Sequence, residues 1–177
     1  VLVNPFCGNL ALWSLSYEWW FYMIFFPIYR YVPRQKQLHA AATISGAGFF
    51  SYCLLPNQVS LFLMYFILWW TGAELARAYI ASGSISSSSA RRSLGYLSLF
   101  CAMLVVRIWL AKLAHKELTF GNQPILELRH FGACLLFLAG GLVWASFGWK
   151  GFTAIFGPCA WVAPISYALY VFHLPLA

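Results

Sequence analysis

The sequence predicts an all-α fold, a polytopic membrane bundle of about six transmembrane helices, on three observations. First, 62% of the 177 residues are hydrophobic and only 8% are charged, whereas soluble domains carry about 45–50% apolar and about 25% charged residues. No water-soluble fold of this size hides that much apolar surface, so lipid must solvate the outer faces. Second, six apolar runs approach the roughly 20 residues that cross a bilayer as a helix. They are too long for strands and lack strict alternation. Third, there are nine Trp and ten Tyr, residues enriched where a membrane meets water.

The runs are, approximately, Leu10–Tyr31, Leu38–Leu55, Val59–Ile80, Ser93–Leu113, Phe131–Trp149 and Phe152–Leu176. Several contain Gly and Ser, which let helices pack closely. Pro33-Arg34-Gln35-Lys36 follows the first run, and Leu55-Pro56-Asn57-Gln58 makes a short neutral turn. Ser82 to Arg92 reads as a flexible Ser-rich loop ending in paired Arg. Lys112 to His130 is a longer polar connection, and Gly148 to Pro158 joins the last two runs. With no internal repeat and no second domain visible, residues 1–177 form one transmembrane domain.

Charge supplies the topology. The formal charge is +7, and the basic residues sit between apolar runs, which points to membrane orientation rather than to nucleic acid as a partner. Arg30, Arg34, Lys36, Arg77, Arg91, Arg92 and Lys150, seven of the eleven Lys and Arg, fall at joints on one side. That side is expected to be cytoplasmic, with Val1 outside. Five Cys show no metal-ligand spacing, so no metal is expected. They read as small packing residues. The chain starts at Val1 rather than Met, shows no signal peptide and stops directly after an apolar run. It reads as a piece of a longer protein.

There is no Asp, and the four acids are Glu18, Glu74, Glu117 and Glu127. Glu18 stands near the outer end of the first run. An ionised acid near a bilayer centre costs about 2.5–3.5 kcal/mol, against about −0.3 to −0.6 for each Leu or Phe. Apolar neighbours offset that cost without explaining why the acid is there. Intramembrane acids mark functional sites, although a buried ion pair that fixes packing is the alternative. Ser14, Glu18 and Tyr22 follow at i, i+4 and i+8, so a hydroxyl, a carboxylate and a phenol share a face. In the last run Ser166, Tyr170 and His173 fall on one face, and a neutral imidazole exchanges protons near neutral pH. An interfacial His wetted by headgroups is the plainer reading there. Glu74 is placed to pair with Arg77 near the cytoplasmic end. Arg107 either snorkels outward or meets Glu18. Glu117, Glu127, His115 and His130 read as solvated connection, and Arg129-His130 is placed to touch a substrate without being singled out. GxSxG, Walker, GxGxxG and HExxH motifs are absent from the sequence.

The stretch Trp13, Ser14, Leu15, Ser16, Glu18, Phe21, Tyr22 and Pro27 resembles the signature of the acyltransferase 3 family of integral membrane O-acyltransferases. The terminal Ser166, Tyr167, Leu169, Tyr170, His173 and Pro175 resemble the family's ending, and Gly72-Ala73-Glu74-Leu75-Ala76 fits its middle section. Two departures stand out. Trp19-Trp20 replace the Glu-Gln that many members carry. The family's Arg and His of an early helix would lie before Val1, so this piece by itself is expected to be inactive.

The resemblance implies an enzyme that moves an acyl group, usually acetyl, from an acyl-CoA to a hydroxyl of a cell-surface or exported glycan. It implies Glu18 and His173 as catalytic residues, with Ser14, Ser16, Tyr22, Ser166 and Tyr170 binding substrate or supporting them. No bound cofactor is implied; acetyl-CoA or another acyl-CoA is the co-substrate. The partners are membrane lipid, the acyl-CoA donor and the glycan acceptor, and the place is a multi-pass position in the cell membrane, the bacterial inner membrane. The competing reading is a multi-pass transporter or flippase, since polar intramembrane stripes also line translocation paths. A third is a non-catalytic membrane subunit.

Overall fold

The computed structural model describes residues 13–83, 85, 87–118 and 123–161. Their order is α1 (Trp13–Tyr31), α2 (Arg34–Leu54), α3 (Gln58–Ser82), α4 (Ser87–Leu113), α5 (Ile125–Ser146), the short α6 (Phe152–Phe156) and a 3-10 turn (Gly157–Trp161). No strand occurs among the described residues. The helical membrane fold expected from the sequence is what forms.

The helix bounds differ from the apolar runs in instructive ways. Of the described helices, α3, residues Ala90–Leu113 of α4, and α5 are long and apolar enough to cross a membrane. α1 and α2 have the length but not the apolarity. Ser14, Ser16 and Glu18 dilute α1, and Arg34, Lys36 and three Gln or His residues open α2. The Ser-rich loop is shorter than expected, because Ser87 through Arg92 already belong to α4. The turn before it is closed by Gly83 at φ 69°, whose N–H donates to the Tyr79 carbonyl at 2.7 Å. That left-handed cap is the ordinary glycine ending of a helix. The last apolar run is interrupted early: α6 gives way to the 3-10 turn at Gly157-Pro158, and Pro removes a helical donor.

The chain divides into two compact units, one drawn from Val1–Phe66 and Trp149–Ala177, the other being Ile67–Gly148. In the first, α1 ends before Pro33, and Gln37 of α2 caps it. The Gln37 side-chain amide donates to the carbonyls of Val32 at 2.9 Å and Tyr29 at 3.2 Å, satisfying two of the orphan acceptors at a helix end. Asn57 starts α3 in the same spirit, its Oδ1 accepting from the Ser60 N–H at 2.9 Å. α2 buries Ala41, Ala42, Ser45 and Gly48, and this small-residue stripe lets backbones approach. A Cβ at Gly48 would lie 2.6 Å from the Met64 nitrogen of α3.

In the second unit the rest of α3 buries Ile67, Trp70 and Thr71. α4 buries Ala90, Ser93, Leu97, Phe100 and Leu104, a three–four spacing that makes one continuous stripe. α5 answers with Glu127 and Phe131, and the Phe100 and Phe131 rings stack with centroids 5.4 Å apart.

Candidate active site

Glu18 lies on α1, which is helical without interruption from Trp13 to Tyr31. Positions 14, 18 and 22 therefore share one row of the helix. Burial picks out a different row. Phe21 and Ile28 are buried, and Tyr17 is half-buried. Phe21 stacks on Phe62 of α3 at 4.6 Å between centroids and reaches Phe66 at 5.6 Å, while Tyr17 meets Phe62 at 5.5 Å. That aromatic contact fixes the rotation of α1. The Glu18–Tyr22 row is left outward: Glu18 is exposed, and Tyr22 is 55% exposed. Ser14 and Ser16 share the α1 backbone, but their side chains lie outside what the structure describes. Ser166, Tyr170 and His173 also fall outside the described residues. Of the seven expected site residues, the described structure thus places the side chains of Glu18 and Tyr22, one helical turn apart.

The expected Glu74–Arg77 pair forms. Arg77 Nη1 donates to Glu74 Oε1 at 3.2 Å. The sequence reading missed the third member. The Trp70 indole N–H donates to the same oxygen at 3.0 Å, and the Arg77 guanidinium sits 5.4 Å from the Trp70 ring centre. A Trp four residues before the acid is the signal that reveals it, since i and i+4 are neighbours on a helix. The cluster holds a carboxylate and a guanidinium, each partly buried, with charge, hydrogen bonds and a π face in mutual use. The Glu74 Oε1 acceptor is shared by the Trp70 indole and one Arg77 nitrogen.

Two expectations on the polar connection need correcting. Glu127 was expected in solvated loop. Instead α5 begins at Ile125, directly after Pro124, and Glu127 is 1% exposed. His130 is helical too, though exposed. Arg107 is half-buried on α4, one turn past Leu104. Pro124 at the helix start and an acid in the first turn are recognised start signals; the surrounding charges obscured them.

Comparison with known proteins gives one match. The family model for acyltransferase 3, described as an acyltransferase domain, covers residues 2–177. No curated protein and no solved structure matches the chain.

Proposed function

The chain belongs to the acyltransferase 3 family, and from that premise we propose that this membrane protein transfers an acetyl group from acetyl-CoA to a hydroxyl of a cell-surface or exported glycan. The observation that carries this reading is the family match across residues 2–177; a transporter or flippase has no comparable support. The reaction is an acyl exchange. The acceptor oxygen attacks the thioester carbonyl, the carbon–sulfur bond breaks, and the hydroxyl proton passes through a base to the departing CoA thiolate. General-base assistance of such a step is worth about 10²–10⁴ in rate.

Glu18 is assigned the supporting acid. Its side chain is exposed on α1. A carboxylate on an apolar helix resists contact with acyl chains and is met instead by protein, water or substrate. There it orients a histidine or an arginine by hydrogen bond, as carboxylates do in other acyl-transfer sites. His173 is assigned proton transfer, with Ser14, Ser16, Tyr22, Ser166 and Tyr170 lining the acceptor's approach. Mass spectrometry of surface glycans from cells with and without the complete gene tests the assignment. Acetyl esters that appear only with the gene support it; identical glycans in both remove it.

A further inference from the structure

One face of α1 is apolar along most of its length and ends in cations. Trp19, Met23, Phe26 and Arg30 recur at i, i+4, i+7 and i+11, so they form one narrow row, and all four are exposed. The row lies opposite Phe21 and Ile28, the residues that α1 buries. From Trp19 to Arg30 it runs about 16 Å along the axis at about 1.5 Å per residue. One leaflet supplies roughly 15 Å of a hydrocarbon core about 30 Å thick, so the row matches a single leaflet. Arg30 stands in the last turn of α1, and Arg34 and Lys36 stand in the first turn of α2, all three exposed. Gln37 holds this corner together, its side-chain amide donating to the Tyr29 and Val32 carbonyls. None of the three cations forms a salt bridge among the described residues. Glu18 is the only acid in the sequence of this unit, and it stands about 18 Å from Arg30 along the axis. The dipole of α2 disfavours cations in its first turn, so helix stability does not account for Arg34 and Lys36. Tyr29 and Tyr31 beside them are exposed, and such rings settle at headgroup level.

We propose that this face binds an anionic phospholipid, its phosphate met by Arg30, Arg34 and Lys36 and an acyl chain laid along Phe26, Met23 and Trp19. Charge and length together select that occupant. A zwitterionic headgroup brings an ammonium into the cation cluster. A soluble phosphate compound leaves the apolar row uncovered. A second apolar helix covers the row and leaves three cations without counter-charge. Basic residues clustered at a membrane surface attract anionic lipids, and here the apolar row gives the same lipid a place for its chain. The proposal rests on the membrane fold alone and is independent of acyl transfer.

The test uses the complete protein in phosphatidylcholine nanodiscs that carry a small share of a photoreactive lipid. That lipid is either phosphatidylglycerol or phosphatidylcholine, with the same diazirine-bearing acyl chain. After irradiation, peptide mass spectrometry reads the labelling of Trp19, Met23 and Phe26. The phosphatidylglycerol probe is expected to label this row about tenfold or more above the phosphatidylcholine probe, since each interfacial cation contributes about fivefold. Combining Arg30→Gln, Arg34→Gln and Lys36→Gln should bring the two probes level, whereas Arg30→Lys with Arg34→Lys should keep the preference. Equal labelling by the two probes in the wild-type protein, or no labelling of the row, overturns the proposal whether or not the triple variant inserts; equal labelling would leave the cations a role in orientation only. A preference that survives in the triple variant overturns it too. So does a preference abolished by added coenzyme A or glycerol 3-phosphate, because that outcome describes a site for a soluble phosphate.

Discussion

A charged side chain within an apolar helix is less costly where it finds hydrogen-bond partners, and in the Trp70–Glu74–Arg77 cluster one helix supplies two of them to a single carboxylate oxygen. One oxygen of Glu74 accepts from both Trp70 and Arg77, at 3.0 and 3.2 Å. Glu74→Ala removes both acceptor contacts beside a fully buried indole and should lower stability by about 1–3 kcal/mol. Glu74→Gln keeps an acceptor for the indole and should lose less. Thermal unfolding of the two variants in detergent checks the order. The Glu74–Arg77 half of this cluster was legible from the i, i+3 spacing. Glu127 was not, because Lys112, Lys116, Glu117, Arg129 and His130 make its surroundings look like loop. Burial of an acid is decided by the facing helix, and a single sequence does not reveal which stripes face each other.

At the scale of the helix, small residues set how closely backbones approach, and Gly48 is the tightest point described. A Cβ there would meet the Met64 nitrogen at 2.6 Å and Leu63 at 2.8 Å, whereas one at Gly46 meets nothing within 4 Å. Gly48→Ala should therefore cost about 1–3 kcal/mol through forced movement of backbone. Gly46→Ala should be neutral or stabilising by about 0.5–1 kcal/mol through helix propensity. Unfolding midpoints measured side by side separate the two. Helix existence was legible for the five long described helices, since long apolar runs without alternation admit little else. The ends were less so. α4 starts earlier than its apolar run, because Ser87 and its neighbours continue the helix past the hydrophobic stretch. α6 stops early because Gly157 and Pro158 interrupt an apolar run that hydropathy alone reads as continuous.

For the whole molecule, topology rests on the basic residues. Arg77, Arg91 and Arg92 flank the turn between α3 and α4, and such clusters stay on the cytoplasmic side. A reporter inserted at Ser84 should fluoresce as a cytoplasmic fusion; alkaline phosphatase activity there would reverse the orientation. The candidate site was read from motifs at the two ends of the chain, and the terminal one lies outside the described residues. The structure adds that aromatic packing of Tyr17 and Phe21 on Phe62 turns Glu18 and Tyr22 outward, a rotation that spacing along one helix does not specify. The most direct measurement is the acetyl content of surface glycans made by the complete protein carrying Glu18→Gln, with membrane levels matched to wild type. Loss of about a hundredfold or more is the predicted result, and wild-type acetylation in that variant would contradict the role given to Glu18.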